Sequence, residues 1–386
     1  MKHPFFHWPH YLHQHLAPQL KGLFATVGIQ DFALAAIVIF EPVYLYNQGF
    51  AISQILWYYV LVYGLYFLLI PFGGALVARR GPARGIAIST VWLIGYYVAL
   101  LLMPQAPWLF WIAPICFALQ KTFYWPAYHA DFAASSNSTE RGKEYSSLYS
   151  LTTLMYVLGP LFGGAVLKFA GFSTLFTIVI ALIAISNIPV WRSSVKHIPQ
   201  PFSFRQTWRL PFRPIHRRST LSYLAMGEQL IYLVVWPIFI ALTFKDFLNM
   251  GEAIALATLI TALVTLISGR WLDRGHWRPL LKVGGLLTAV VWFTRPWLNS
   301  IVGVFTSDTF GRIGGNTTWV TNADVTYERA LKEQNVIGRS IMFEQGLSIG
   351  KALIAVLVII VSAWWPPFTA AFILAGVFSL GYLLLR

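Results

Sequence analysis

The chain has 386 residues, of which 57% are hydrophobic and 11% charged, with a mean hydropathy of +0.62. Water-soluble domains carry about 25% charged residues, so a soluble globular fold is excluded, and apolar blocks of about 18 residues or more have the length that crosses a bilayer. The formal charge of +14 would point to nucleic acid only if it formed a basic face on a folded domain. Here Lys and Arg fall in short connections between apolar runs, so nucleic acid is set aside as a partner.

Residues 1–21 hold His3, His7, His10, His13 and His15 among Phe5, Phe6, Trp8 and Tyr11. Pro4 and Pro9 break a regular helix, and there is neither an apolar core nor a small-residue cleavage site of a signal peptide. The segment therefore reads as a cytoplasmic, interfacial anchor in preference to a metal site.

Windows of about 19 residues then give twelve expected spans. They are 22–45, 53–77, 85–103, 107–127, 146–168 and 173–191, followed by 219–243, 251–271, 280–298, 302–322, 340–362 and 367–385. The single Cys116 lies inside an apolar run, which excludes an internal disulfide and suits a small core residue. Between the sixth and seventh spans, 192–218 carries Arg205, Arg209, Arg213, Arg217 and Arg218 among prolines. It reads as a basic cytoplasmic linker on the inner leaflet, where each cation near anionic lipid gains about 1 kcal/mol.

Of the 28 Lys and Arg, Lys168, Lys245 and Arg295 are placed near outer connections, and Lys121, Arg312 and Lys351 inside spans. The other 22 fall on the side of the termini, so both termini are expected to be cytoplasmic. The fold expected is all-α and integral to the membrane, with twelve transmembrane helices in two pseudo-symmetric six-helix bundles, 22–191 and 219–386.

An internal repeat supports that division. Gly269-Arg-Trp-Leu-Asp273-Arg274-Gly-His-Trp-Arg278 has a degenerate echo 195 positions earlier in Gly74-Ala-Leu76-Val-Ala78-Arg79-Arg80-Gly81-Pro-Ala-Arg84. The same offset places Pro237 on Pro42 and Trp319 within one residue of Trp125.

These motifs resemble the major facilitator superfamily of secondary transporters. Its loop between the second and third helices of each half has Gly, an apolar position, Asp-Arg, Gly and further basic residues. Gly269, Asp273, Arg274 and Arg278 match it in the second half, while Gly74, Leu76, Arg79, Gly81 and Arg84 match in the first, with Ala78 in place of the Asp. The Arg common at the start of the fourth helix is replaced around Phe117, Gln120 and Lys121, whereas Arg312 and Gly315 stand 195 residues later. Gly159-Pro160-Leu-Phe-Gly163-Gly164 is similar to the glycine-proline motif of proton-driven exporters, and Arg141-Gly142 and Pro42-Val-Tyr-Leu45 are weaker matches.

The resemblance implies a substrate path between the halves, lined by the first, fourth, seventh and tenth helices. Those helices carry Asp31 and Glu41, Gln120 and Lys121, Glu228 and Gln229, and Asp308, Arg312 and Asn316. An ionisable residue at mid-membrane costs at least about 2.5 kcal/mol, which favours placement on a polar cavity. Asp308 and Arg312 are four residues apart and share a helix face, so they form either an internal ion pair or, through Arg312 or Lys121, a contact to an anionic part of the substrate. Asp31 is the first candidate proton carrier, with Glu228 at similar depth. Glu41 lies about 15 Å beyond Asp31 at the helical rise, near the outer end, where hydration suffices for it. Glu344 and Lys351, two turns apart, are a further candidate pair.

The expected gating set is Gly74, Arg79, Gly81, Arg84, Arg141, Gly159, Pro160, Gly163, Gly164, Gly269, Asp273, Arg274 and Arg278. Arg274 and Arg278 are expected to meet carboxylates such as Asp324, and the glycines to permit bending and close helix approach. The function expected is a secondary active transporter of a small organic solute, proton-coupled and exporting, in the cell inner membrane. It is expected to work as a monomer without cofactor or metal, and not as an enzyme. The alternative is a transporter-like receptor or interaction protein without flux.

Overall fold

The computed structural model describes residues 18–135, 141–188, 199, 202–273, 277–332 and 336–384. The histidine-rich start and Arg274 lie outside them, as do the side chains of Arg141, Asp273 and Asp324. Every regular element among the described residues is helical, and none is a strand. Among the described residues, eight helical stretches are long and apolar enough to cross a membrane: Phe24–Asn47, Ile52–Arg80, Pro82–Leu102, Ser150–Ser186, Arg217–Phe244, Phe247–Thr265, Ile337–Val361 and Pro367–Leu384. In hydrocarbon a helix satisfies all its own backbone groups, which is why apolar runs of this length take no other form.

The first stretch is not one rod. Helix α1, Pro18–Ile37, gives way to a turn at residues 38–40 before α2, Glu41–Asn47. Pro42 explains the break, since its ring excludes the carbonyl four residues back, at Val38. The same device returns 195 residues later. After α8, Arg217–Ala225, a tight turn at Met226–Glu228 leads into α9, Gln229–Leu233, and α10, Val235–Phe244, starts two residues ahead of Pro237.

Between them run α3, Ile52–Arg80, α4, Pro82–Leu102, α5, Leu109–Ser135, and α6, Arg141–Ser186. Gly81, at φ 88°, makes the reversal between α3 and α4, a conformation open to glycine for want of a Cβ. Helix α6 joins the two spans expected at 146–168 and 173–191, and the break between them is a single residue, Gly171, at φ 77° and ψ 177°. The later helices are α11, Phe247–Asp273, α12, Trp277–Thr294, α13, Ile301–Lys332, α14, Val336–Val361, and α15, Pro367–Leu380.

Helix α1 packs on α6, α5 on α3 and α4, and α13 on α11 and α12. The two most extensive contacts between early and late helices are α6 with α11 and α3 with α14, with smaller ones of α5 on α14 and α2 on α10. In the first, backbones touch at two glycines with no side chain between, and the Phe172 ring meets that of Phe247 beside them at 5.5 Å. A Cβ on Gly164 would fall on the carbonyl oxygen of Phe247, and one on Gly251 on that of Pro160. Beside this seam a Cβ on Gly163 would fall on the Ala36 carbonyl, and one on Gly159 would sit 2.5 Å from the Ala35 Cβ. Lys168 and Asp246 close the rim with an ion pair of 3.2 Å. Asp246 lies outside the spans, and its carboxyl is held below the ordinary value by the backbone N–H of Asn249 and then by Lys168.

The described part of the linker rests on the opposite face. In α7, Phe204–Arg209, Phe204 meets Phe72 and Trp208 meets Phe67, both with ring centroids 5.3 Å apart. Arg205, Arg209, Arg213, Arg217 and Arg218 point away, exposed. This side is called the linker face below, and the glycine seam marks the far face.

Candidate functional site

A cavity of about 610 Å³ opens between the early and late helices. Its walls come from Val27 to Glu41, Tyr63 and Tyr66 of α3, Phe117 to His129 of α5, Leu148 to Tyr156 of α6, Glu228 to Leu233, Gly311 to Trp319 of α13 and Arg339 to Lys351 of α14. The segments of α5, α6 and α14 extend toward the linker face, and the glycine seam closes the far face. The cavity is therefore a pit whose walls run on toward the linker side.

Asp31, Gln120, Lys121, Glu228, Gln229, Arg312 and Asn316 all line it. Asp308 stands one turn behind Arg312 and pairs with it, Nε to Oδ2 at 2.6 Å, and its other oxygen accepts from Trp236 Nε1 at 2.8 Å. Arg312 Nη1 donates to Thr258 at 3.2 Å, and Asn316 Nδ2 to Thr265 at 2.5 Å. The internal ion pair is thus formed, and these bonds seat the face of α13 against α11. Thr152 donates to Asp31 at 2.8 Å. Glu228, only 3% exposed, accepts from Trp292 Nε1 at 2.9 Å and from the Tyr382 hydroxyl at 2.8 Å.

Four groups at the pit have partners that the sequence did not show. Glu41 is not hydrated at an outer end. It is 2% exposed, and its two oxygens accept from Tyr97 at 2.6 Å and Tyr96 at 2.9 Å. The turn at residues 38–40 carries it inward, and two hydroxyls supply what water would have given. Tyr97 and Trp292 are 195 positions apart and do the same work, each donating to a carboxylate on the first helical stretch of its repeat.

Arg295 does stand at a connection, opening the 3-10 turn Arg295–Trp297 between α12 and α13, but its side chain is turned inward. It is 1% exposed, its guanidinium 3.6 Å from the centroid of Trp236 and 3.8 Å from that of Trp292, with Nε donating to Ser307 at 3.2 Å. A desolvated cation held this way gains about 2 kcal/mol from the rings. Gly311 leaves room for it, since a Cβ there would lie 2.6 Å from Nη2.

Glu344 and Lys351 do not form the ion pair their spacing suggested. Glu344 accepts from Tyr66 at 3.0 Å, while Lys351 Nζ reaches the Tyr63 hydroxyl at 3.5 Å. Both line the pit and both contact α3 from α14. Their polarity inside a span was the available signal, but the tyrosines that engage them lie nearly 300 positions away in sequence.

The expected gating residues divide between the two faces. Gly159, Pro160, Gly163 and Gly164 build the far-face seam. Gly74 lies on α3 where it meets α14, with Ile341 and Phe202 in the space a Cβ would need. Arg79, Arg84 and Arg278 are exposed near the linker face, and Arg278 lies over the Trp277 ring at 5.1 Å. Gly269 and Asp273 close α11, but their contacts and those of Arg141 and Arg274 lie outside the described residues.

Comparison with known proteins agrees with this architecture. The sequence model of the Major Facilitator Superfamily matches residues 23–333. No curated protein matches the chain at a significant level. The family match runs from the start of the first spanning stretch through the whole of α13, and so covers nearly all the helices that wall the pit. With its apolar spanning helices and this match over most of its length, the chain belongs to the Major Facilitator Superfamily and is a multi-pass membrane transport protein.

Proposed function

We propose that the protein is a proton-coupled secondary transporter that exports a small organic solute across the cell inner membrane by alternating access. In this reading twelve helices form two six-helix bundles, 22–191 and 219–386, with both termini and the linker cytoplasmic. The observation that carries it is the pit itself. It is sized for a small solute, walled by helices from both parts of the chain, and closed on one face only by contacts with no covalent or charged core. Separating Gly164 from Phe247 while closing the linker side would turn the same pit to the other face.

Asp31 and Glu228 are the assigned proton carriers. Each is a carboxylate on the wall of the pit, held by neutral donors and not by a cation. Such a group gains or loses a proton without breaking an ion pair, which suits a carrier that must cycle. The Arg312 and Asp308 pair is assigned to holding α13 in place, and Asp273 with Arg274 and Arg278 to the cytoplasmic gate. The test is flux in proteoliposomes under an imposed pH gradient, screened over chemically diverse solutes. The gradient is expected to drive flux, and Asp31→Asn and Glu228→Gln to abolish that drive; flux indifferent to the gradient overturns the coupling.

A further inference from the structure

Five cations of the described residues reach the wall of the pit, and Arg339 among them donates to Met342 Sδ at 4.0 Å. Arg312 has Asp308, and Arg295 has the two indoles and Ser307. Lys121 has only ring faces, and Lys351 has one ring face and the Tyr63 hydroxyl at 3.5 Å. Lys121 Nζ lies over the Phe117 ring at 4.2 Å and 5.8 Å from the centroid of Tyr63. Lys351 Nζ lies 4.9 Å from that same Tyr63 centroid. Among the described residues no carboxylate stands within 4.0 Å of either amine. The carboxylates nearest in the fold are held by neutral donors: Glu41 by Tyr96 and Tyr97, Glu344 by Tyr66, Glu228 by Trp292 and Tyr382.

Two amines from α5 and α14 thus flank one aromatic ring in a closed-in site, with no counter-ion in contact. A buried charge without its partner is costly, and a lysine ammonium on a four-carbon stem is free to swing onto an oxyanion. Above them the wall is aromatic. Tyr124 and Tyr128 stack at 5.8 Å, Trp125 and His129 stack at 5.8 Å, and Trp319 and Tyr232 face them from the later helices.

We infer that the substrate is an amphiphilic organic anion, whose carboxylate or phosphate binds between Lys121 and Lys351 while its apolar, aromatic body lies against Tyr124, Trp125 and Tyr128. The inference rests on the transport reading above and names the class of solute for the same pit. Because the two lysines come from helices far apart in the chain, the bound anion links them directly, which a neutral solute of the same shape cannot do.

The test uses the full chain in nanodiscs and reads binding by tryptophan fluorescence and thermal shift. The probes are 1-naphthoate, 1-naphthyl phosphate, the neutral 1-naphthamide and the cationic 1-naphthylmethylamine. At least one anion is expected to bind about tenfold or more tighter than the amide and the amine, the scale of a charge-assisted hydrogen bond. Which anion wins decides between carboxylate and phosphate. Lys121→Met and Lys351→Met are each expected to remove that preference, Lys121→Arg and Lys351→Arg to keep most of it, and the exposed Lys282→Met to leave it intact.

Equal binding of amide or amine, absence of binding by all four probes, or an anion preference that survives both Met variants overturns the inference. Should the Met variants fail to fold, the ratio of anion to amide on the unaltered protein decides alone. Flux of the same probes in proteoliposomes separates the two readings. Anion binding without flux overturns transport and leaves the anion site standing; flux without anion preference does the reverse.

Discussion

Replacing Gly164 by alanine tests whether the far face is held shut by backbone contact. The added Cβ would meet the Phe247 carbonyl oxygen, with the Phe247 carbonyl carbon and Leu248 Cα both at 3.2 Å. All three are backbone atoms, so no rotamer change relieves the clash and α6 and α11 must move apart. Overpacking of this kind costs about 1–3 kcal/mol. Alanine also favours helix over glycine by about 1 kcal/mol, but α6 is helical in either conformation, so that gain cancels from the balance between them. The closed far face is thus expected to lose about 5- to 150-fold in population against an opened one, at 1.4 kcal/mol per factor of ten. The assay is labelling of Val38→Cys by an impermeant maleimide applied to the far face, in a background lacking the buried Cys116. Val38 lines the pit just beneath the seam, so its labelling rate should rise by that factor. Gly64→Ala is the control, since nothing lies within 4 Å of a Cβ there. A folded Gly164→Ala protein with an unchanged labelling rate would refute the argument.

Two further outcomes are expected. Asp308→Asn leaves the largely buried Arg312 without its carboxylate and should lower stability by about 3–5 kcal/mol; in a thermal-unfolding double-mutant cycle, adding Arg312→Gln should recover part of that loss, and strict additivity would contradict the pair. Gly171→Ala meets no neighbour within 4 Å, so only the strained backbone at φ 77° is felt. It should cost about 1–3 kcal/mol in thermal unfolding, with no loss of substrate binding.

Much of this protein was legible from its residues because a membrane narrows the choices. Long apolar runs must be helices, and polar residues inside them must face something polar, which placed Asp31, Lys121, Glu228 and Arg312 on the pit. The offset of 195 also carried over into structure, as the paired breaks before Pro42 and Pro237 and the paired donors Tyr97 and Trp292 show. What escaped was whatever depends on partners far apart in sequence. Glu41 looked hydrated because its distance from Asp31 was measured along a straight helix, whereas the chain turns at residues 38–40. Arg295 looked peripheral because it ends an apolar run, and nothing local announces that Trp236 folds over it. Glu344 and Lys351 looked like partners because spacing along α14 is visible in sequence and the hydroxyls of Tyr63 and Tyr66 on α3 are not.

The two main contacts between early and late helices are made of different material. Where α6 meets α11, peptide groups abut with nothing to titrate and no room for water, save for Lys168 and Asp246 at the rim. Where α3 meets α14, the union runs through phenol, carboxylate and amine, in Tyr66 with Glu344 and Tyr63 with Lys351. The first is a dry seam, largely indifferent to acidity and salt. The second is a clasp of ionisable groups and hydroxyls, so of the two it is the one whose strength depends on protonation.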